Sequence, residues 1–197
     1  MPSLVDVANN ALNMIGESNI AALDDPTAKA VTCARLLNKD LRAMETQFKW
    51  SFSYKRQSFA AMTTPPVSGF TYQYQLPTDY LSVWGIGDDP LANGQPDYSL
   101  VYQIEMNSRL LTNEGPPLII HLGVLVNDAN MWAGAFEQAL TDLVAADYAM
   151  AFPHDESLNK LYLQRYQQDL YDALAADGQK GSIQVYTSPD LIECRDG

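Results

Sequence analysis

The spacing of apolar residues changes twice along this chain, and that double change limits its fold more than any single motif does. Before Trp50, apolar positions recur every three or four residues: Leu4, Val7 (or Ala8), Leu12 and Ile15, then Ala30, Cys33, Leu37, Leu41, Met44 and Phe48. This is the one-sided stripe of amphipathic helices. At Trp50 the spacing drops to the two-residue alternation of strands, beginning with Ser51-Phe52-Ser53-Tyr54. Helical spacing returns at Asp128 with Trp132, Phe136, Leu140, Leu143 and Val144, and after Pro153 with Leu158, Leu161, Tyr162, Tyr166, Leu170 and Leu174. The pattern predicts an α+β fold. Helix pairs at residues 1–49 and 128–178 are expected to form a bundle, with an antiparallel β insertion at 50–127 and an extended C-terminal arm at 179–197.

Local signals place the ends of these elements. Ser3 is a predicted N-cap with Asp6 in the first turn, and Gly16 a predicted stop. Asp25-Pro26 offers a cap followed by proline at the first helical position, so the second helix is expected to begin there and reach about Phe48. Asp155 is the expected cap of the last helix. Strand-like runs are Tyr72–Gln75, Leu81–Ile86, Ser99–Glu105, Arg109–Thr112 and Leu118–Val126, with turns expected at Asn93-Gly94 and Asn107-Ser108. No apolar run approaches the ~20 residues of a membrane span. The start, Met1-Pro2-Ser3-Leu4-Val5-Asp6, has no basic region, so no secretory signal is expected. Two distant cysteines, Cys33 and Cys194, point to a reducing environment.

The formal net charge is −12, which opposes general affinity for nucleic acid. The charge is unevenly spread. Residues 26–56 hold seven basic side chains against Asp40 and Glu45, whereas 129–178 hold eight acids against Lys160 and Arg165. Two such segments can face one another within a subunit or across a subunit interface, or each can be a solvated helix face.

Catalytic constellations are not found. His121 lies in an apolar strand-like run and His154 at a helix start, neither with a partner at metal-ligand spacing, so both read as structural. Cys33 falls on a buried helical stripe rather than in an exposed electropositive setting. Asp88, Asp89, Asn93 and Asp97 offer four oxygen side chains, but their spacing fits an ordinary polar turn better than a calcium loop. No catalytic, metal-binding or cofactor-binding residue is assigned. In the run Gly69-Phe70-Thr71-Tyr72-Gln73-Tyr74-Gln75-Leu76-Pro77, strand alternation puts Phe70, Tyr72, Tyr74 and Leu76 on one face. That is expected to be core rather than a stacking platform, with Pro77 ending the strand.

Taken in order, several segments resemble one family. These are Ile15-Gly16-Glu17, Cys33-Ala34-Arg35-Leu36-Leu37-Asn38, Trp50-Ser51-Phe52, Tyr72-x-Tyr74-x-Leu76-Pro77-x-Asp79-x-Leu81, Arg109-Leu110-Leu111-Thr112 and Trp132…Phe136-x-x-Ala139-Leu140. The order is similar to that of tail tubular protein A and the head-to-tail adaptors of tailed bacteriophages, over roughly residues 4–178. Departures are Trp50-Ser51-Phe52-Ser53 where relatives commonly have Trp-Asn-Phe-Ala, Tyr80 where Cys is frequent, and Asn107-Ser108 where Gly is frequent. The resemblance implies a non-enzymatic virion protein of the neck, assembled in the host cytoplasm. It would form a ring, typically of twelve, beneath the portal and above a tail or nozzle protein, with DNA passing through unbound. An acidic protein suits such a conduit. Arg35, Lys39 and Arg42 facing Asp142 and Asp169 of a neighbour are the expected interface, with Ile183, Val185 and Tyr186 of the arm adding a strand. Two other readings are a carbohydrate- or receptor-binding module using the aromatic insertion, and a carboxylate-dependent cell-wall hydrolase.

Overall fold

The computed structural model describes residues 3–87, 101–106 and 108–180. The arm residues Ile183, Val185 and Tyr186, the Asn93-Gly94 turn, the acidic turn from Asp88 to Asp97, and Asn107 lie outside the described residues. The fold is α+β, with four α-helices and two small antiparallel sheets among the described residues. The chain divides into two compact units, and the 50–127 segment is shared between them.

The first unit comprises residues up to Gln57, Pro77–Gly85 and Ile120–Lys180. Helix α1 (Leu4–Met14) opens with a capping box: Ser3 Oγ accepts the Asp6 amide at 3.3 Å, and the Asp6 carboxylate accepts the Ser3 amide at 2.9 Å. Gly16, at φ +76°, supplies the left-handed conformation that ends this segment. Helix α2 (Ala28–Gln47) starts later than expected. Thr27, not Asp25, is its N-cap, because Thr27 Oγ1 accepts the Ala30 amide while Asp25 closes the preceding turn on the Ala22 amide. The expected continuous helix from Asp128 is also broken. Asp128 caps a single 3-10 turn, Ala129–Met131, the chain extends at Trp132 and Ala133, and helix α3 (Gly134–Ala151) follows. Helix α4 (Glu156–Gly178) has the expected Asp155 cap, whose carboxylate accepts the Ser157 and Leu158 amides.

Helix α3 is the hub: it packs against α1, α2 and α4. Its alanines Ala139, Ala145, Ala146 and Ala149 are all fully buried, which lets three helices approach its backbone. Beside it, Trp50, Phe52 and Trp132 surround Phe136, with ring centroids 4.8–5.4 Å from it in edge-to-face contact.

Strands β1 (Tyr54–Phe59), β3 (Tyr80–Ile86) and β6 (Leu118–Val124) form a sheet with β6 central. Strand β1 begins only at Tyr54, since Ser51–Ser53 make a turn instead of the expected alternating strand. In β6, Ile120 and Leu122 are fully buried. On the opposite face Gly123 leaves bare backbone beneath Ser82 and Trp84; a Cβ there would lie 2.4 Å from Ser82 Oγ.

Of the described residues, the second unit holds Ser58–Leu76 and the segment from Ile86 to Ile119. Strands β2 (Tyr72–Gln75), β5 (Arg109–Thr112) and β4 (Tyr102–Glu105) form its antiparallel sheet, β5 central. Tyr72 pairs with Thr112 and Tyr74 with Leu110, and Tyr102 and Ile104 pair with the same two residues from the other side. Tyr74 is fully buried and Leu76 nearly so, whereas Phe70 and Tyr72 are half-buried. Tyr74 and Leu76 are thus core as expected, Phe70 and Tyr72 only partly so, and Gln73 on the other face is buried as well.

Candidate assembly surface

Helix α2 separates its charges by burial. Its inward face carries Ala30, Cys33, Leu37, Leu41 and Met44, and with them Asp40 and Glu45, which are 3% and 0% exposed. Every charged side chain α2 turns to solvent is therefore basic: Arg35, Lys39 and Arg42 are exposed and Lys29 is half-buried. Lys29 pairs with Glu17 at 2.9 Å, and Lys39 bonds Asp147 of α3 while touching Asp40 at 3.1 Å. Arg35 and Arg42 make no ion pair among the described residues. They stand one heptad apart, roughly 10 Å along the helix, in a stripe with exposed Val31 and Asn38.

The buried acids are strongly perturbed. Burial pushes the Asp40 carboxyl up to about 7, nearby Asp147 adds to the rise, and Lys39 opposes it. Burial likewise pushes Glu45 up to about 7, although its Oε2 accepts the Val126 amide at 2.9 Å. Among the described residues Asp40 Oδ2 and Glu45 Oε1 have no hydrogen-bond partner, which favours the neutral acid over a bare buried charge. Sequence reasoning missed both groups as buried acids. The signal was present, because Asp40 lies three residues after Leu37 and four before Met44, on the apolar stripe itself.

The acidic residues expected on the surface are placed differently. Asp142 of α3 is completely buried, which corrects its expected position at an interface. Its carboxylate lies 3.5 Å from the Arg165 guanidinium of α4 and accepts Gln138 Nε2 at 3.3 Å. Burial and the adjoining Asp169 carboxyl both raise it. Asp169 is half-buried beside it. One basic–acidic meeting is thus internal to the subunit, the Lys39–Asp147 pair across α2 and α3, while Arg35 and Arg42 remain outward.

Groups with possible chemistry are engaged structurally. His121 is 3% exposed, with Nδ1 hydrogen-bonded to the Tyr54 hydroxyl. Lys49 Nζ and Arg56 Cζ lie 4.2 and 5.8 Å from the Tyr54 ring centroid. His154, at φ +55°, donates from Nδ1 to the Met150 carbonyl at 2.6 Å and so closes the end of α3. Cys33 is fully buried and free, and burial raises its thiol. Tyr74 donates to the Glu114 carbonyl at 2.8 Å. Among the described residues, no group of three or more His, Cys, Asp and Glu side chains is placed to hold a metal ion, and no helix is long and apolar enough to cross a membrane.

A scan against protein-family models finds no match for this chain, and a search of curated proteins likewise finds none.

Proposed function

We propose that this chain is a structural subunit of a bacteriophage neck ring that joins the portal to the tail and forms part of the DNA channel. The observation that carries the reading is the Tyr72-x-Tyr74-x-Leu76-Pro77-x-Asp79 run set between two helix pairs, as in head-to-tail adaptors. The burial of Tyr74 agrees with a scaffold role for that run and leaves it little capacity to stack a sugar. The outward basic stripe of α2 on a chain of net charge −12 supplies the asymmetry that a repeated heterologous contact needs. A ring of twelve, the portal above and a tail or nozzle protein below are the partners in this reading.

The test is electron microscopy of the purified chain, alone at high concentration and mixed with its portal protein. Rings on the portal are the expected result; an absence of both ring and portal binding in all conditions overturns the proposal. Reversing both Arg35 and Arg42 to Glu should weaken assembly at low salt while the subunit keeps its helical circular dichroism.

A further inference from the structure

Helix α4 packs along α3 on one side, with Leu158, Tyr166, Leu170 and Leu174 half-buried against the core. Of its 23 residues, only Tyr162 and Ala173 are buried. The side turned away from them carries Ser157, Leu161, Gln164, Gln168, Tyr171 and Ala175, every one exposed. These positions alternate steps of four and three, the spacing of a helix-packing seam. None is charged, and two are large: Leu161 is 47% exposed and Tyr171 72%. A solvated helix face normally carries charges at such positions. Asp172 borders the stripe and has no cationic partner among the described residues, accepting a 3.5 Å contact from Gln168 Nε2.

The arrangement of the first unit decides the occupant. Helix α3 packs against both α2 and α4. The exposed stripes of α2 and α4 lie on the sides of those helices opposite their buried residues, so they point away from the shared core. Two different faces directed outward from one compact unit can join copies head to tail, each contact leaving a free face for the next copy. The faces also match chemically. Arg35 and Arg42 bring two cations without partners, one heptad apart. Gln164 and Tyr171 are spaced by the same step, with the Asp172 carboxylate next to Tyr171. Amide oxygen, aromatic face and carboxylate are each partners for a guanidinium.

We infer that the α4 stripe centred on Gln164, Gln168, Tyr171 and Asp172 docks onto the Arg35–Arg42 stripe of α2 in a second copy of this chain. The inference rests on the ring reading and specifies which faces meet. It also replaces the buried Asp142 with Asp172 as the neighbour's acid.

The test uses the full chain in a Cys194→Ser background, with ring formation on the portal as the readout for the wild type and for charge variants. Asp172→Arg and Tyr171→Glu alter exposed side chains, so the subunit should stay folded. Each should raise the concentration needed for half-assembly about tenfold, the scale of interface Arg and Tyr contacts. Combining Asp172→Arg with Arg42→Glu should restore assembly toward wild type. A chain carrying Arg42→Cys and Tyr171→Cys should oxidise into a ladder of trimers and longer species, which a two-fold contact cannot produce. If wild-type rings form and Asp172→Arg and Tyr171→Glu assemble equally well, this face pairing is overturned and the ring reading survives. If the wild type forms no ring with or without portal, both fail.

Discussion

The carboxylate of Glu45 accepts the Val126 amide at 2.9 Å, tying the last turn of α2 to the chain just beyond β6 at a fully buried position. Its carboxyl is raised by burial from 4.5 to about 7, and that of Asp40 from 3.8 to about 7. The folded state therefore holds both protons more tightly than the unfolded chain does. Stability from these groups is full below their unfolded values and declines as pH rises through about 7. Thermal unfolding of the wild type should show this decline between about pH 4 and 7, with a flatter profile above. Glu45→Gln keeps an oxygen for the Val126 amide and removes the charge, so it should flatten the profile and stabilise by about 2 kcal/mol at the alkaline end. An unchanged slope in Glu45→Gln and Asp40→Asn would refute the assignment.

Tyr74 combines a fully buried ring with a hydroxyl that donates to the Glu114 carbonyl. Tyr74→Phe should cost about 1 kcal/mol in urea unfolding, the net value of one hydrogen bond. Tyr74→Ala should cost about 3–5 kcal/mol through the cavity it leaves. Equal and small effects would mean that the ring is not core.

Gly123 sits beneath two side chains, with the position of an added Cβ 2.4 Å from Ser82 Oγ and 2.8 Å from Trp84 Nε1. Gly123→Ala should destabilise by about 1–3 kcal/mol through overpacking. Gly85→Ala is the control, because an added Cβ there meets nothing within 4 Å. The two melting curves should separate; coincident curves would contradict the packing at Gly123.

Capping offers a second paired comparison. Thr27→Ala removes the acceptor for the Ala30 amide and should cost about 1 kcal/mol. Asp25→Ala loses only the turn contact to the Ala22 amide and should cost less. The reverse order would restore Asp25 as the cap.

Legibility in the sequence followed the range of the physics involved. Ser3 with Asp6 and Asp155 with Ser157 are local capping chemistries, and both were readable. Strands β2 and β5 have the bounds expected of them, although Gln73, Leu111 and Thr112 are buried as well as Tyr74 and Leu110, so burial here does not alternate between the faces. The α2 start was misplaced because Asp25, Pro26 and Thr27 are all good start residues, and Asp25 is taken up by the preceding turn on the Ala22 amide, which leaves Thr27 as the cap. The break at Trp132 and Ala133 was hidden because Trp132 and Phe136 keep helical spacing on either side of it. Of the residues expected at an interface, Arg35, Lys39 and Arg42 are exposed, with Lys39 held by Asp147 of its own chain. Asp142 was misjudged because a single sequence does not show which face of an alanine-rich helix is covered when three neighbours cover most of it.

Trp50 and Trp132 each donate their indole N–H to a carbonyl, those of Met44 and Val126, both at 3.0 Å, and both rings lie against Phe136. Trp84 belongs to the same unit, and these are all the tryptophans of the chain, so the second unit, which has tyrosines such as Tyr72, Tyr74 and Tyr102, has none. The molecule consequently carries its own optical label. Emission excited at the red edge reports the helical unit alone, and tyrosine absorbance follows both, so the order in which the two units melt can be read without attaching a dye.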